Sequence, residues 1–436
     1  MGPETKRRIA TGLATGLAAG LLAGTALAEP QVIHAGRLVA VPGEDVRGPS
    51  TITVDNGRIV SVVDGLQPAP AGATLIDLSD KTVLPGLIDS HVHLASDTTG
   101  NAGLIEDMVR SDNWFTLNAY VNGMKTLRAG FTTVRNMGDG TGSTEALSNA
   151  VAEGLVMGPR IIDAGKPIST TAGHMDGAVG LKPDFRPMFD ASGNTCDGPA
   201  DCRRAVREQV ANGADVIKFA ITGGVNSRIG AGLGAQMHMD EARAIVETAR
   251  LYDKKVAVHA HGADGALMAL ELGVDSIEHA TIMSDELIRT WANSDTYYVP
   301  TLMTVNSYVT RVAAGLENEA PSVAEKIQWR IEITGKSLQD LVPAGVKIAF
   351  GTDAGVWRHG ENADEFRLMV ENGMTPESAL IAATLNAADL LGLSDEIGTI
   401  EVGKSADIVA VNGDPLSDES VYKDMQFVMA RGTVVE

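Results

Sequence analysis

Both ends of the chain carry short segments in which apolar and polar residues alternate, whereas the long middle does not. Residues 32–39, 50–55, 58–63 and 74–77 show a period of two, and Asp55-Asn56-Gly57 supplies a tight turn between the second and third. Successive side chains of a strand point to opposite faces, so this pattern predicts antiparallel strands, one pair joined as a hairpin. Residues 406–411, 426–430 and 433–435 return to the same texture. With no helix-forming stretch among them, the two ends (29–84 and 396–436) are expected to meet in one small β-sandwich.

Between them, residues 85–395 alternate helical runs with short apolar strands. Helical runs end at Gly130, Gly213, Gly273 and Gly345, and a strand follows each within a few residues. Glycine there fits the left-handed residue that closes a helix. The segments of buried-strand type are 83–93, 132–136, 160–164, 216–220, 256–261, 276–279, 297–302 and 347–351. Eight parallel strands with intervening helices predict an α/β fold, a (β/α)8 TIM barrel. A doubly wound open sheet is the alternative, but the Gly-rich phosphate loop typical of its first turn is missing.

Composition narrows the setting. A length of 436 residues suits one barrel plus a small companion domain. A formal net charge of −21 repels phosphate backbones and argues against a nucleic-acid partner. Lys6, Arg7 and Arg8 precede an Ala/Leu/Gly-rich run over 9–24, and Ala26-Leu27-Ala28 offers a small-x-small cleavage site. Residues 1–28 therefore read as a signal peptide, giving a periplasmic or secreted chain with no membrane association after processing. An uncleaved N-terminal anchor is the other reading. In an oxidising compartment the only two cysteines, Cys196 and Cys202, are expected to pair as a disulfide across a Gly/Pro/Asp-rich loop.

The candidate chemistry lies at the strand ends. His91, His93, His259 and His279 fall at the carboxyl ends of predicted strands, and Asp353 follows the eighth. In a barrel those ends converge on one face, which gathers residues far apart in sequence. His91 and His93 stand two apart, so both imidazoles face one side and can grip a cation; two hydrogen-bonded surface histidines are the plainer alternative. Lys218 lies within the fourth strand, in Val216-Ile217-Lys218-Phe219. A protonated amine there is a costly buried charge and cannot ligate metal. After reaction with carbon dioxide it becomes an anionic carbamate whose oxygens can bridge two cations; pairing with a carboxylate is the alternative. Arg228, just beyond Gly223-Gly224-Val225, is either a clamp for a substrate carboxylate or a solvated loop charge. His34 and His238 stand apart from this set.

These segments resemble those of the amidohydrolase superfamily. Leu84-Pro85-Gly86-Leu87-Ile88-Asp89-Ser90-His91-Val92-His93 is similar to its strand-one signature. Lys218 ahead of Thr222-Gly223-Gly224-Val225 is similar to its carboxylated-lysine subtype. Val258-His259-Ala260-His261-Gly262, Ile277-Glu278-His279 and Gly351-Thr352-Asp353-Ala354-Gly355 complete the set. Gly173-His174-Met175-Asp176 and His359-Gly360-Glu361-Asn362 bring the likeness closest to a branch of Xaa-Pro and Xaa-Arg dipeptidases and carboxypeptidases. Some members of that branch hydrolyse ochratoxin, an N-acyl phenylalanine.

The resemblance implies two divalent metal ions, most simply zinc. His91, His93 and Asp353 would hold one, His259 and His279 the other, with carboxylated Lys218 bridging them. His259 rather than His261 is taken as the ligand from strand five. Such a pair makes hydroxide available from a shared water near neutral pH. Asp353 would take the proton and pass it to the departing amine. His174 would donate a hydrogen bond to the developing oxyanion, with loop ordering as its other role, and His261 and His359 would orient neighbours or touch substrate. The implied activity releases a C-terminal amino acid from a dipeptide or N-acyl amino acid. A lactonase, cyclic-amide hydrolase or deaminase on the same centre is the alternative. Relatives in this branch form large homo-oligomers, so a homo-oligomer such as an octamer is expected.

Overall fold

The protein is described by a computed structural model covering residues 29–190, 193–228, 232–317 and 319–436. The expected signal peptide lies outside these described residues. No helix among them is long and apolar enough to cross a membrane.

The alternating segments at the two ends form strands of a single seven-stranded sheet. From the N-terminal end come β1 (Gln31–Leu38), β2 (Ser50–Asp55), β3 (Arg58–Asp64) and β4 (Thr74–Pro85). The strands Ile408–Val411, Met425–Ala430 and Thr433–Val434 return from the C-terminal end. β4 is the hinge of the assembly, running parallel to β1 on one side and antiparallel to Ile408–Val411 on the other. The expected second layer is replaced by the same sheet folding over. Ile59 N–H donates to Lys404 O at 3.0 Å and Gly403 N–H to Ile59 O at 2.8 Å, which closes β3 against the segment just before Ile408–Val411. Ile33, Leu38, Ile52, Ile59, Ile408 and Met429 form the enclosed core.

The middle of the chain supplies two parallel sheets. One contains β5 (Leu87–Val92), β6 (Phe131–Asn136) and β7 (Arg160–Asp163). The other contains β8 (Val216–Ala220), β9 (Lys255–Ala260), β10 (Ser276–His279) and β11 (Tyr297–Val299). β5, β6, β8 and β10 are buried along their whole length, as expected for strands covered on both faces. Hydrogen bonds cross both gaps between the sheets. Ile168 N–H donates to Lys218 O at 2.8 Å, and Ala220 N–H to Ile168 O at 2.9 Å. At the other gap, Tyr298 N–H donates to Lys347 O and Ser90 N–H to Phe350 O, both at 2.8 Å. Residues 347–351 thus stand between β11 and β5, and the circuit closes.

Three expected strands change at their ends. The first does not begin at residue 83, because β4 continues to Pro85 and the chain passes between sheets at Gly86. A Cβ on Gly86 would lie 2.2 Å from Thr132 Oγ1, so glycine here is what admits the Thr132 side chain against the backbone. The seventh stops at Val299, since Pro300 has no N–H to donate and Thr301 turns to a φ of +51°. The eighth is a single bridge at Ile348 rather than a ladder. Phe350 there gives its N–H to Ala382 O at 3.0 Å instead of to a neighbouring strand.

Cys196 and Cys202 form a disulfide, as expected, at the start of the helix Pro199–Ala211. Its loop is short, with a sequence separation of 6. Replacing both cysteines by Ala is expected to cost about 2 kcal/mol of unfolding free energy. Urea denaturation measures this, and an unchanged midpoint would contradict it.

Candidate metal centre

The strands deliver their polar residues to one end of the circuit. His91 leaves the end of β5 with His93 two residues on, Lys218 sits within β8, His259 near the end of β9, and His279 closes β10. Asp353 follows the 347–351 segment, and its N–H donates to His91 O at 2.7 Å. The ligand atoms of His91, His93 and Asp353 all lie within 4.8 Å of one another, so these three could hold a metal ion. Asp353 Oδ1 is 3.2 Å from His93 Nε2 and 3.5 Å from His91 Nε2. The other imidazoles complete a cluster: ring centres are 4.7 Å apart for His259 and His279, 5.2 Å for His91 and His279, and 4.1 Å for His174 and His259.

Each of these rings spends one nitrogen on the scaffold. His91 Nδ1 donates to Glu278 Oε2 at 2.7 Å, and His93 Nδ1 to Gly138 O at 3.1 Å. His259 Nε2 donates to Gly223 O at 3.3 Å, and its Nδ1 has no hydrogen-bond partner among the described residues. His279 Nδ1 donates to Thr301 Oγ1 at 2.7 Å, while that hydroxyl donates to Pro300 O. Such bonds set the tautomer and leave the opposite nitrogen with a lone pair, the arrangement a metal-binding imidazole requires. Burial, reinforced by the Lys218 charge, depresses His91 to about 4. Burial also holds His259 and His279 well below the ordinary range, with neighbouring imidazoles adding to it. Unprotonated rings result, and protonated ones could not ligate.

Lys218 is 1% exposed, and its Nζ has no hydrogen-bond partner among the described residues. Burial lowers its pKa to about 8. The neutral amine, the form that reacts with carbon dioxide, is therefore far more accessible here than on a surface lysine. The carboxylate-paired alternative is not realised as a direct contact, because Glu278 is engaged elsewhere. Burial works against ionisation of Glu278, yet Arg135, Lys218 and the His91 hydrogen bond hold its carboxyl well below the usual carboxylate range. Arg135 donates to Glu278 Oε1 at 2.9 Å, to Ser276 Oγ at 3.0 Å and to Ser90 O at 2.6 Å, so it ties β5, β6 and β10 together inside the circuit.

The remaining sequence candidates take different places. His174 stacks on His259 and bonds Ser227 Oγ through Nδ1. A Cβ on Gly224 would lie 2.2 Å from the His174 ring, so glycine at that position is what admits the imidazole. His261 pairs through Nδ1 with Thr281 Oγ1 at 2.5 Å. His359 stands behind the cluster, its Nε2 donating to His93 O at 3.0 Å. Arg228 is at the rim, donating to Asn101 Oδ1 at 2.5 Å. His93, His174 and Arg228 line one cavity of about 770 Å³ together with the apolar Phe115, Met175 and Leu181. His34 and His238 lie elsewhere: His34 Nε2 donates to Gln67 O, and the His238 N–H to Glu241.

Sequence reasoning singles out Lys218 as a charge within an apolar strand, and the same signal marks three residues it passed over. Arg135 and Glu278 are two of them. The third is Asp89, whose carboxylate accepts from His91 N–H, Thr352 N–H, Thr352 Oγ1 and Asn362 Nδ2, joining β5 to the turn that carries Asp353. Backbone strain is a signal no sequence pattern carries: His279, Ala280, Thr301 and Asp353 have φ of +72°, +35°, +51° and +58°. Non-glycine residues in that region cost about 1–3 kcal/mol each and persist where the surroundings enforce them.

Arg135→Met would leave the Glu278 charge buried without its guanidinium. Urea denaturation is expected to show a loss of about 3–5 kcal/mol, most of it recovered when Glu278→Leu is added. Equal stability of wild type and the single variant would refute the account of this pair.

Comparison with known proteins adds an independent line. The family model described as "Amidohydrolase family" matches residues 82–436. An ochratoxinase of Aspergillus niger is 30% identical over 434 residues, covering 92% of this chain and 85% of that one. Among solved structures, a Xaa-Pro dipeptidase with methionine bound in its active site superposes with a TM-score of 0.87 at 36% identity, covering 93% of this chain and 100% of that one. A prolidase complexed with N-methylphosphonate-L-proline gives a TM-score of 0.81 at 31% identity, covering 93% and 99% respectively.

Proposed function

This chain belongs to the amidohydrolase family, and from that premise we propose a two-metal hydrolase on a (β/α)8 barrel that releases a C-terminal amino acid. It is a hydrolase of amide or peptide bonds. Dipeptides and N-acyl amino acids, ochratoxin A among them, are the substrates this reading favours, since the similar proteins are ochratoxinase and Xaa-Pro dipeptidase. The single observation that carries the proposal is the buried Lys218 amine, without a hydrogen-bond partner among the described residues, amid imidazoles each anchored to the scaffold through one nitrogen.

The donor set fits two divalent cations, zinc by ligand chemistry. His91, His93 and Asp353 would hold one, and His259 and His279 the other. His259 is taken as the ligand rather than His261, because its Nδ1 is buried with no hydrogen-bond partner among the described residues while its Nε2 is anchored to Gly223 O. A carbamate on Lys218 would supply the anionic bridge: the neutral amine adds to carbon dioxide, the new N–C bond forms and one proton leaves. When bound, the cations acidify water and polarise the scissile carbonyl.

The chain's own groups supply the rest. Asp353 is pulled both ways: burial disfavours its charge, while His91, His93 and Lys218 hold its pKa below the ordinary value. It is thus ionised, and on this reading it would take a proton from water and hand it to the leaving amine. His174 faces the same cavity and would donate through Nε2 to the oxygen that gains charge. Arg228 at the rim would meet the substrate carboxylate, and Phe115, Met175 and Leu181 the apolar portion.

Three measurements test the proposal. Release of free amino acid from N-acyl amino acids is expected to stop on chelation and return with zinc; turnover that resists exhaustive chelation overturns it. Lys218→Ala is expected to lose both the cation pair and the activity, and a variant that kept two metals per chain at full rate would remove the bridging role. Glu278→Gln, which alters the partner of the far nitrogen of His91 as well as of Arg135, is expected to weaken metal affinity by about 10–100-fold in a competition titration.

A further inference from the structure

We infer that Lys326 is a positioning residue that sets the orientation and tautomer of His174 through the turn at residues 224–227. The inference rests on the oxyanion role given to His174 above. Lys326 comes from the helix Pro321–Glu332, outside the circuit of parallel strands. It is 9% exposed, and its Nζ donates to Gly224 O and Ser227 O, both at 2.7 Å. No carboxylate pairs with it among the described residues. Burying an ammonium without a counter-charge is costly, and two short charge-assisted bonds to carbonyls offset only part of that cost. A structural staple needs no charge here; a Gln or Ser could cap a turn more cheaply.

The turn that Lys326 grips holds two imidazoles. Ser227 N–H donates to Gly224 O at 3.2 Å, so both carbonyls bound by Nζ belong to one tight loop. Gly224 N–H donates to Ser227 Oγ at 3.3 Å. That bond occupies one of the hydroxyl's two lone pairs, and His174 Nδ1 is its only other hydrogen-bond partner among the described residues, so the O–H is assigned as donor to His174 Nδ1. The direction of the relay is then fixed: Gly224 N–H to Ser227 Oγ, Ser227 O–H to His174 Nδ1. On that assignment His174 carries its proton on Nε2, the nitrogen an oxyanion donor requires. At the preceding residue, Gly223 O accepts from His259 Nε2. The Gly224 position tolerates no Cβ, so the loop and the imidazole fit in one register only. Released from Lys326, the two carbonyls can turn, the Ser227 hydroxyl loses its direction, and His174 can exchange tautomers.

A double-mutant cycle with a spectroscopic arm tests this. Lys326→Met is expected to lower kcat on the order of 10–100-fold with little change in KM and with metal content unchanged. In a His174→Ala background the same substitution is expected to change kcat by less than about twofold. A full, multiplicative loss in that background overturns the inference, because Lys326 would then act without His174. Imidazole nitrogen shifts of selectively labelled protein report the tautomer without any substrate. Wild type is expected to show His174 protonated on Nε2, and Lys326→Met a mixture; identical His174 shifts in the two proteins overturn the inference. Should Lys326→Met fail to fold, Ser227→Ala breaks the relay one atom later and is read in the same two ways. If wild type hydrolysed no N-acyl amino acid yet the shifts behaved as expected, the substrate reading would fail and the role of Lys326 would stand.

Discussion

The buried contact between Glu278 and Arg135 is the interaction on which the rest of the site depends. Moving either ion from water into the strand interior costs several kcal/mol, and the cost is offset only while both are present and fully hydrogen-bonded. With the pair in place, Glu278 has one oxygen left for His91, and Arg135 spans three strands. Lys218 lies near enough to feel both charges but touches neither. With Lys218 as an ammonium, the set of Asp353, Glu278, Arg135 and Lys218 is formally neutral. On the proposed reading, conversion of Lys218 to a carbamate exchanges one cation for one anion, and the resulting negative surplus favours divalent ions at this spot.

Beyond that contact, the site is held by buried titratable side chains that bond backbone groups. Glu365, on the helix Asp364–Glu371, accepts from Leu302 and Met303 N–H at 2.9 and 2.6 Å. It thereby holds the strained turn at Thr301, whose hydroxyl accepts from His279. Asp89 does the same for the turn before Asp353, and Lys326 for the loop beside His174. Three buried titratable side chains thus fix three loops by their backbone groups, and each loop presents or supports one polar residue of the cavity. Strained backbone at His279, Thr301 and Asp353 is stable because it is enforced from behind.

Much of this architecture could be read from the chain itself, for a definite physical reason. Strands such as β8 and β10 are buried on both faces, so their apolar runs have no competing solvent-face pattern, and their bounds match the sequence expectation. Where tertiary contacts decide, the pattern misleads. The apolar run through residue 93 hides the break at Gly86, because the reason for that glycine is Thr132, forty-odd residues away. The eighth segment reads as a strand, but its Phe350 N–H is drawn to Ala382. The histidines and Asp353 were legible because strand ends meet wherever parallel strands close a ring. Ser227, Thr301, Lys326 and Glu365 were not, since short polar residues in loops and charged residues on helices are ordinary until the partner they bond is known.

Anomalous scattering from a crystal of the zinc-loaded protein tests the central claim most directly. The account predicts two peaks per chain, one about 2 Å from nitrogens of His91 and His93 and an oxygen of Asp353, the other at the same distance from His259 and His279, with density for a carboxyl group beyond Lys218 Nζ. A single peak, or a bare Lys218 amine between two ions, would contradict it.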